Sequence, residues 1–243
     1  VNRLTEIDFE PRAVCLRCRR PRLVCYCAAI APIPTRTRVV LLQHPRESRT
    51  PIGTARMAHL ALPNSALRIG LDFSADPEVR AALDGPQPAY VVFPHLQAVA
   101  VADLPRDRPV TLVVVDGTWW QAQKLLKLNP AVRALPHVAF TPRRPSEYRI
   151  RRQPADHCVS TIEALAEVLD ELEPERGPFA RLLDPFHAMI ARQLEFQTED
   201  RGQGRGPRRR TVGPRARHPA NVGPPNGNVG PPNGATGAYF PSE

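Results

Sequence analysis

The chain has 243 residues, 42% of them hydrophobic, which suits one ordinary domain with extensions and supplies a real core. No run of 18 or more apolar residues occurs, so a transmembrane helix is not expected. Val1 to Arg12 carries charges without the apolar stretch of a secretory signal, and the expected compartment is the cytoplasm. The net charge is +9, but residues 201–243 hold seven arginines against one acid, leaving 26 basic and 23 acidic residues for 1–200, so total charge alone is a weak argument for a nucleic-acid partner.

In chain order, the first feature is a cysteine block. Cys15, Cys18, Cys25 and Cys27 give C-x2-C-x6-C-x-C. In a reducing compartment four thiols this close are poor candidates for disulfides, and two close pairs on a short loop suit a tetrahedral tetrathiolate zinc site. Such a site is closed, so the metal is expected to be structural, ordering a segment too small for its own core. Arg17, Arg19, Arg20 and Arg22 make the loop basic. A fifth cysteine, Cys158, has no close partner in sequence and reads as packed. Pro32 and Pro34 separate a zinc-binding segment, 13–34, from a body, 35–198.

The body alternates strands and helices. Thr37–Leu42 is a short apolar strand, Gly53 to Leu62 a short helix stopped by Pro63, and Ala89–Phe93 a buried strand ended by Pro94. Val110–Val115 is the strongest strand, Trp119–Leu128 a helix stopping before Asn129 and Pro130, and His137–Phe140 a further strand. Ser160–Glu173 is amphipathic, with Ile162, Leu165, Ala166, Leu169 and Leu172 on one stripe. Phe179–Phe196 is a last helix, with Pro185 as its start or a kink. Continuous apolar strands between helices predict an α/β fold with a mostly parallel sheet covered on both faces. From Arg201 the chain is Gly, Pro and Arg, with Asn221–Gly227 repeated as Asn228–Gly234, and 201–243 is expected to be disordered.

Asp116-Gly117-Thr118-Trp119 sits where the strongest strand meets a helix. Parallel α/β sheets bind ligands beyond the carboxyl ends of their strands. There an acid faces the crevice, and a glycine permits a sharp turn and close approach. On spacing alone, Asp116 and Thr118 are equally well read as helix caps, with Trp119 and Trp120 as core. Ser160-Thr161-Ile162-Glu163 fits a capping box. Its free amides are also suited to a ligand's carboxylate, and Glu163 to a ligand's amino group. Arg143, Arg144, Arg149, Arg151 and Arg152 crowd the loop before that helix, a pattern that favours phosphate contact over a merely solvated face. No P-loop or strand-linked dinucleotide fingerprint occurs.

Taken together, these pieces resemble the DTW-domain family. The likeness rests on the cysteine block, Gln43-His44-Pro45-Arg46-Glu47 after the first strand, Phe93-Pro94 at a strand end, Asp116-Gly117-Thr118-Trp119, and Arg151-Arg152-Gln153-Pro154 leading to Ser160-Thr161-Ile162-Glu163-Ala164. It covers roughly residues 13–195. The resemblance implies a SPOUT-like, knotted fold and a tRNA-uridine aminocarboxypropyltransferase that uses S-adenosylmethionine as co-substrate and acts on N3 of uridine. It implies a catalytic Asp116 as base or orienter. It implies a co-substrate pocket of Phe93, Pro94, Asp116, Gly117, Thr118, Trp119, Ser160, Thr161 and Glu163, and an RNA surface that includes His44, Arg46 and the arginine loop. Two other readings stay open: a SPOUT-type RNA methyltransferase, and a non-enzymatic zinc-bearing RNA-binding protein.

Overall fold

The structure, a computed structural model, describes residues 13–50, 52–148 and 159–202. Its elements in chain order are β1 (Arg38–Gln43), α1 (Ala55–Ala61), β2 (Ser65–Ile69), α2 (Pro77–Asp84), β3 (Ala89–Val92), β4 (Val99–Ala100), β5 (Thr111–Asp116), α3 (Trp119–Leu128), α4 (Pro130–Arg133), β6 (His137–Ala139), α5 (Thr161–Leu172) and α6 (Asp184–Gly202). The strands form one six-stranded parallel sheet in the order β2-β1-β5-β3-β6-β4.

The unbroken apolar runs of β1 and β5 are explained by burial on both sides. Successive side chains of a strand point to opposite faces. Val39, Leu41, Leu112 and Val114 pack on the first face with α1, α5, the start of α6 and the cysteine segment. Val40, Leu42 and Val113 pack on the second face with α2, α3 and α4. The expected two-faced α/β sheet is therefore present. Among the described residues no helix is long and apolar enough to cross a membrane.

Two strands and two helices were not expected. β2 is only half-buried and β4 has two residues, so neither shows a clear apolar run. α2 starts at Pro77 behind an Asp76 cap whose carboxylate accepts from the amides of Glu78 and Val79. α4 follows Asn129, where the sequence suggested only a stop. Pro185 marks the start of α6 and not a kink, because Phe179–Leu183 forms a separate 3-10 turn before it. The tail beyond 202 lies outside the described residues, as do Arg149, Arg151, Arg152 and Cys158.

A buried acid ties the sheet's entry to its last helices. Glu173 has no exposed surface and accepts from the backbone amides of Arg36 at 2.9 Å and Thr37 at 2.6 Å. Replacing it with alanine strands both amides. The expected loss is about 3 kcal/mol, since each buried unsatisfied group costs about 1–3 kcal/mol. The melting temperature should fall by about 6–12 °C for a domain of this size, which calorimetry reads directly.

Candidate functional site

β1 and β5 are neighbours, yet the chain leaves them in opposite directions. From β1 it passes through α1 to β2 on one side, and from β5 through α3 and α4 to β6 on the other. Because α1 lies on the first face and α3 on the second, the two connections diverge. Such a switch point opens a crevice beyond the carboxyl ends of the strands.

Asp116 is the last residue of β5 and stands at this switch point. The β1–β5 register places it directly across from Gln43. Gln43 Nε2 donates to Asp116 Oδ2 at 2.8 Å, and Thr161 Oγ1 donates to Oδ1 at 2.5 Å. The backbone amide of His44 donates to the Asp116 carbonyl at 3.0 Å. With 8% of its surface exposed, the acid bridges two strand ends and the first turn of α5. Gln43 was visible only as part of a motif. Its partnership with Asp116 depends on strand register, which no local signal encodes.

The turn after Asp116 has no room for a side chain. A Cβ on Gly117 would meet the Gln121 Cβ at 2.9 Å, a stem atom that cannot swing aside. Thr118 precedes α3, and its amide donates to Gln121 Oε1 at 2.7 Å. Gly117→Ala must therefore shift the start of α3 relative to Asp116. Turnover is expected to drop by at least about tenfold, on the principle that sub-ångström to ångström misplacement is costly. Steady-state kinetics beside a melting curve would check that the loss exceeds any loss of fold.

Trp119 stacks on Phe93, with ring centroids 5.0 Å apart and planes 14° from parallel. Phe93 in turn meets His137 edge-on, and His95 lies 4.5 Å from His137. Phe93, buried Pro94 and Trp119 thus form an aromatic wall just beyond the carboxyl ends of β3 and β5. One face of Trp119 is already covered. Trp120, read as core on one view of the sequence, is 70% exposed. Neighbouring helical residues are about 100° apart, so two consecutive tryptophans do not share a face.

At the start of α5, Glu163 is buried, and its carboxylate accepts from the Ser146 hydroxyl at 2.8 and 3.1 Å, the Glu147 amide at 2.8 Å and the Ser160 amide at 2.7 Å. Its oxygens fasten the arginine loop to α5. Ser160 stands over the first turn in the capping-box arrangement, yet its buried hydroxyl makes no hydrogen bond of normal geometry. Thr161 points to Asp116 instead.

The basic candidates divide. His44 is buried, and its Nδ1 accepts from the Arg46 amide at 3.2 Å, so the neutral ring carries its proton on Nε2. Burial, with Arg46 and Lys124 adding to it, holds its pKa below the usual histidine range, so the ring is neutral at pH 7. Arg46 and Arg144 are exposed. Arg143 is exposed and lies 3.6 Å from Glu171, a surface pair of small energetic weight. Arg20, one of the four arginines of the cysteine loop, is turned inward with 8% exposure.

The four thiols converge. Cys15 and Cys27 sulfurs lie 3.8 Å apart, Cys18 and Cys25 sulfurs 3.6 Å, and all four lie within 4.8 Å of one another. These are free thiols, far beyond the about 2.05 Å of a disulfide. A tetrahedral ion with bonds of about 2.3 Å needs edges of about 3.8 Å, so the group can hold a metal ion. Backbone amides of Cys18 and then Arg17 draw the Cys15 thiol down to about 6, whereas burial pushes the Cys18 and Cys27 thiols up. Arg19 turns the loop with φ of 59°, a left-handed conformation that costs an L-residue energy. Cys18 and Tyr26 are buried against the first face of the sheet, which seats the loop on the body.

The DTW domain profile matches residues 12–194. The chain is 32% identical over 203 residues to the tRNA-uridine aminocarboxypropyltransferase 2 of Drosophila melanogaster, covering 79% of this chain and 80% of that one. It is 31% identical over 212 residues to the protein of the same name from Macaca fascicularis, covering 82% and 71%. It is 28% identical over 219 residues to tRNA-uridine aminocarboxypropyltransferase A of Arabidopsis thaliana, covering 77% and 82%. No solved structure matches. With a profile that spans most of the described residues, relatives above 30% identical over most of both chains, and an acid at the β1–β5 switch point, the chain belongs to the DTW domain family.

Proposed function

We propose that the protein transfers the 3-amino-3-carboxypropyl group of S-adenosylmethionine to N3 of a uridine in tRNA, with release of methylthioadenosine. The observation that carries this reading is the position of Asp116 at the β1–β5 switch point, in a chain whose similar relatives bear that activity in their names. When bound, the co-substrate supplies a sulfonium that makes the γ-carbon of its methionine arm electrophilic.

The residues of the crevice suit that ligand. Asp116 favours a nearby positive sulfonium. Ser160 carries a buried hydroxyl in the capping-box position of α5, whose proton a bound carboxylate would accept, and it lies beside the first-turn amides of that helix. Phe93, Pro94 and Trp119 supply an apolar wall for a planar ring. Of the two roles open to Asp116, orientation is the better supported. Both of its oxygens already accept hydrogen bonds, from Gln43 and Thr161, which fixes the orientation of the carboxylate. The cysteine group holds zinc in this proposal, as a structural ion. The SPOUT-like knot is likewise proposed, and an experimental trace of the chain between β6 and α5 tests it.

The decisive experiment incubates the protein with unmodified tRNA transcript and S-adenosylmethionine. Methylthioadenosine should appear together with aminocarboxypropyluridine in the nucleoside digest. S-adenosylhomocysteine and a methylated nucleoside in their place would identify a methyltransferase and overturn the proposal.

A further inference from the structure

We infer that the outer face of α3, built from Trp120, Lys124 and Lys127, is a platform on which tRNA lays an unpaired base and its adjoining phosphates next to the crevice. The inference rests on the proposed tRNA substrate and names how that substrate is held.

Five observations converge on this face. Trp120 is 70% exposed, whereas a side chain of its size normally finds cover. Its neighbour Trp119 already stacks on Phe93, so the two tryptophans have separate tasks. Lys124 and Lys127 follow at i+4 and i+7, on the stripe of the helix that Trp120 occupies. They are the only two lysines of the whole chain, and α3 contains no acid. Both lysines are exposed, and neither makes an ion pair among the described residues.

The face also adjoins the reaction centre. Trp120 is four residues beyond Asp116. Lys124 is close enough to His44 to act on its ring electrostatically, and the His44 amide is bonded to the Asp116 carbonyl. The platform is therefore continuous with the rim of the crevice. A flat aromatic ring backed by cations fits a nucleobase with its phosphates, since base stacking on an aromatic side chain tolerates any base and lysines meet the backbone as point charges. A partner protein is the weaker fit, because the other exposed residues of α3 are Gln123, Lys124 and Lys127, and only Leu128, at the far end, adds apolar surface.

The test measures binding of unmodified tRNA transcript to the full chain by anisotropy, with no S-adenosylmethionine present. Trp120→Ala should weaken binding about tenfold, in line with about 1–3 kcal/mol per stacked base, and Trp120→Phe should recover most of it. Lys124→Ala and Lys127→Ala should each reduce the slope of log affinity against log salt by about 0.7–0.9. In turnover, the Trp120→Ala defect should appear in KM for tRNA and not in kcat. Trp120 is a surface side chain, so loss of fold does not confound the result. Wild-type affinity in Trp120→Ala overturns the inference, and so does a change confined to the oligomeric state, which would mark a protein contact. If the wild type binds the transcript through Trp120 but transfers nothing to it, the platform stands and the proposed reaction falls.

Discussion

Asp116→Asn is expected to lower the rate of methylthioadenosine release by at least about a hundredfold while leaving tRNA affinity within about threefold of the wild type. The substitution is informative because the fold should tolerate it. The asparagine side chain would keep an oxygen to accept from Gln43 Nε2. Its new amide would donate to Thr161 Oγ1, which reverses from donor to acceptor by rotating its hydroxyl. Both bridges survive, and only the negative charge is lost. Thr161→Ala complements it by removing one bridge and keeping the charge. If Asp116 works by being held in orientation, Thr161→Ala should cost about tenfold on its own and add little to Asp116→Asn, because residues that act as a unit are not additive. A general base acting alone would instead make the two losses multiply. Wild-type turnover in Asp116→Asn would remove the acid from the mechanism altogether.

How much of this was legible in the sequence varies with the kind of information needed. β1, β3 and β5 announced themselves because strands buried on both faces read as unbroken apolar runs. α5 did so because five apolar positions, Ile162, Leu165, Ala166, Leu169 and Leu172, recur at helical spacing, and all five are buried. The cysteine group was legible because two pairs at short spacing have few other uses. α2 carried a readable start, Asp76 before Pro77, but its mostly polar face concealed the rest. β2 and β4 offered no pattern at all.

The site shows the limit more sharply. Asp116 stood out by its place at the end of a strand, a local property, and the resemblance implied its role. Its pairing with Gln43 and Thr161 was not legible. Gln43 reaches it only through the β1–β5 register, and Thr161 arrives from 45 residues further along the chain. Glu163 shows the same dependence on tertiary structure. A capping-box glutamate looks spare for ligand binding until the folded loop brings Ser146 and Glu147 onto its oxygens. Long-range hydrogen bonds decide which polar groups remain for chemistry, and they are set by tertiary packing.

Loss of the proposed zinc is the other change expected to be large, and the packing shows why. The purified protein should carry close to one zinc per chain by elemental analysis. Removing it with a chelator, or preventing its binding with Cys18→Ser, should lower the melting temperature by about 10 °C or more. Cys18 is only 2% exposed, and Tyr26, Ile30 and Ile33 follow it into the core that contains α1, α5 and the start of α6. The loop that presents them has little secondary structure of its own: an isolated antiparallel bridge between Val14 and Pro21 and two 3-10 turns. It also holds Arg19 in a left-handed conformation. Without the ion, little local structure opposes the entropy of that segment. Its buried side chains would be released along with it, at about 1.5–3 kcal/mol for each large apolar group returned to water. The loss should reach turnover as well, since α1 follows the loop that leads from the crevice and would lose its packing partners. A protein that melts at the same temperature with and without chelator, and contains no zinc, would show that the four thiols are packed as thiols and that the core closes over them unaided.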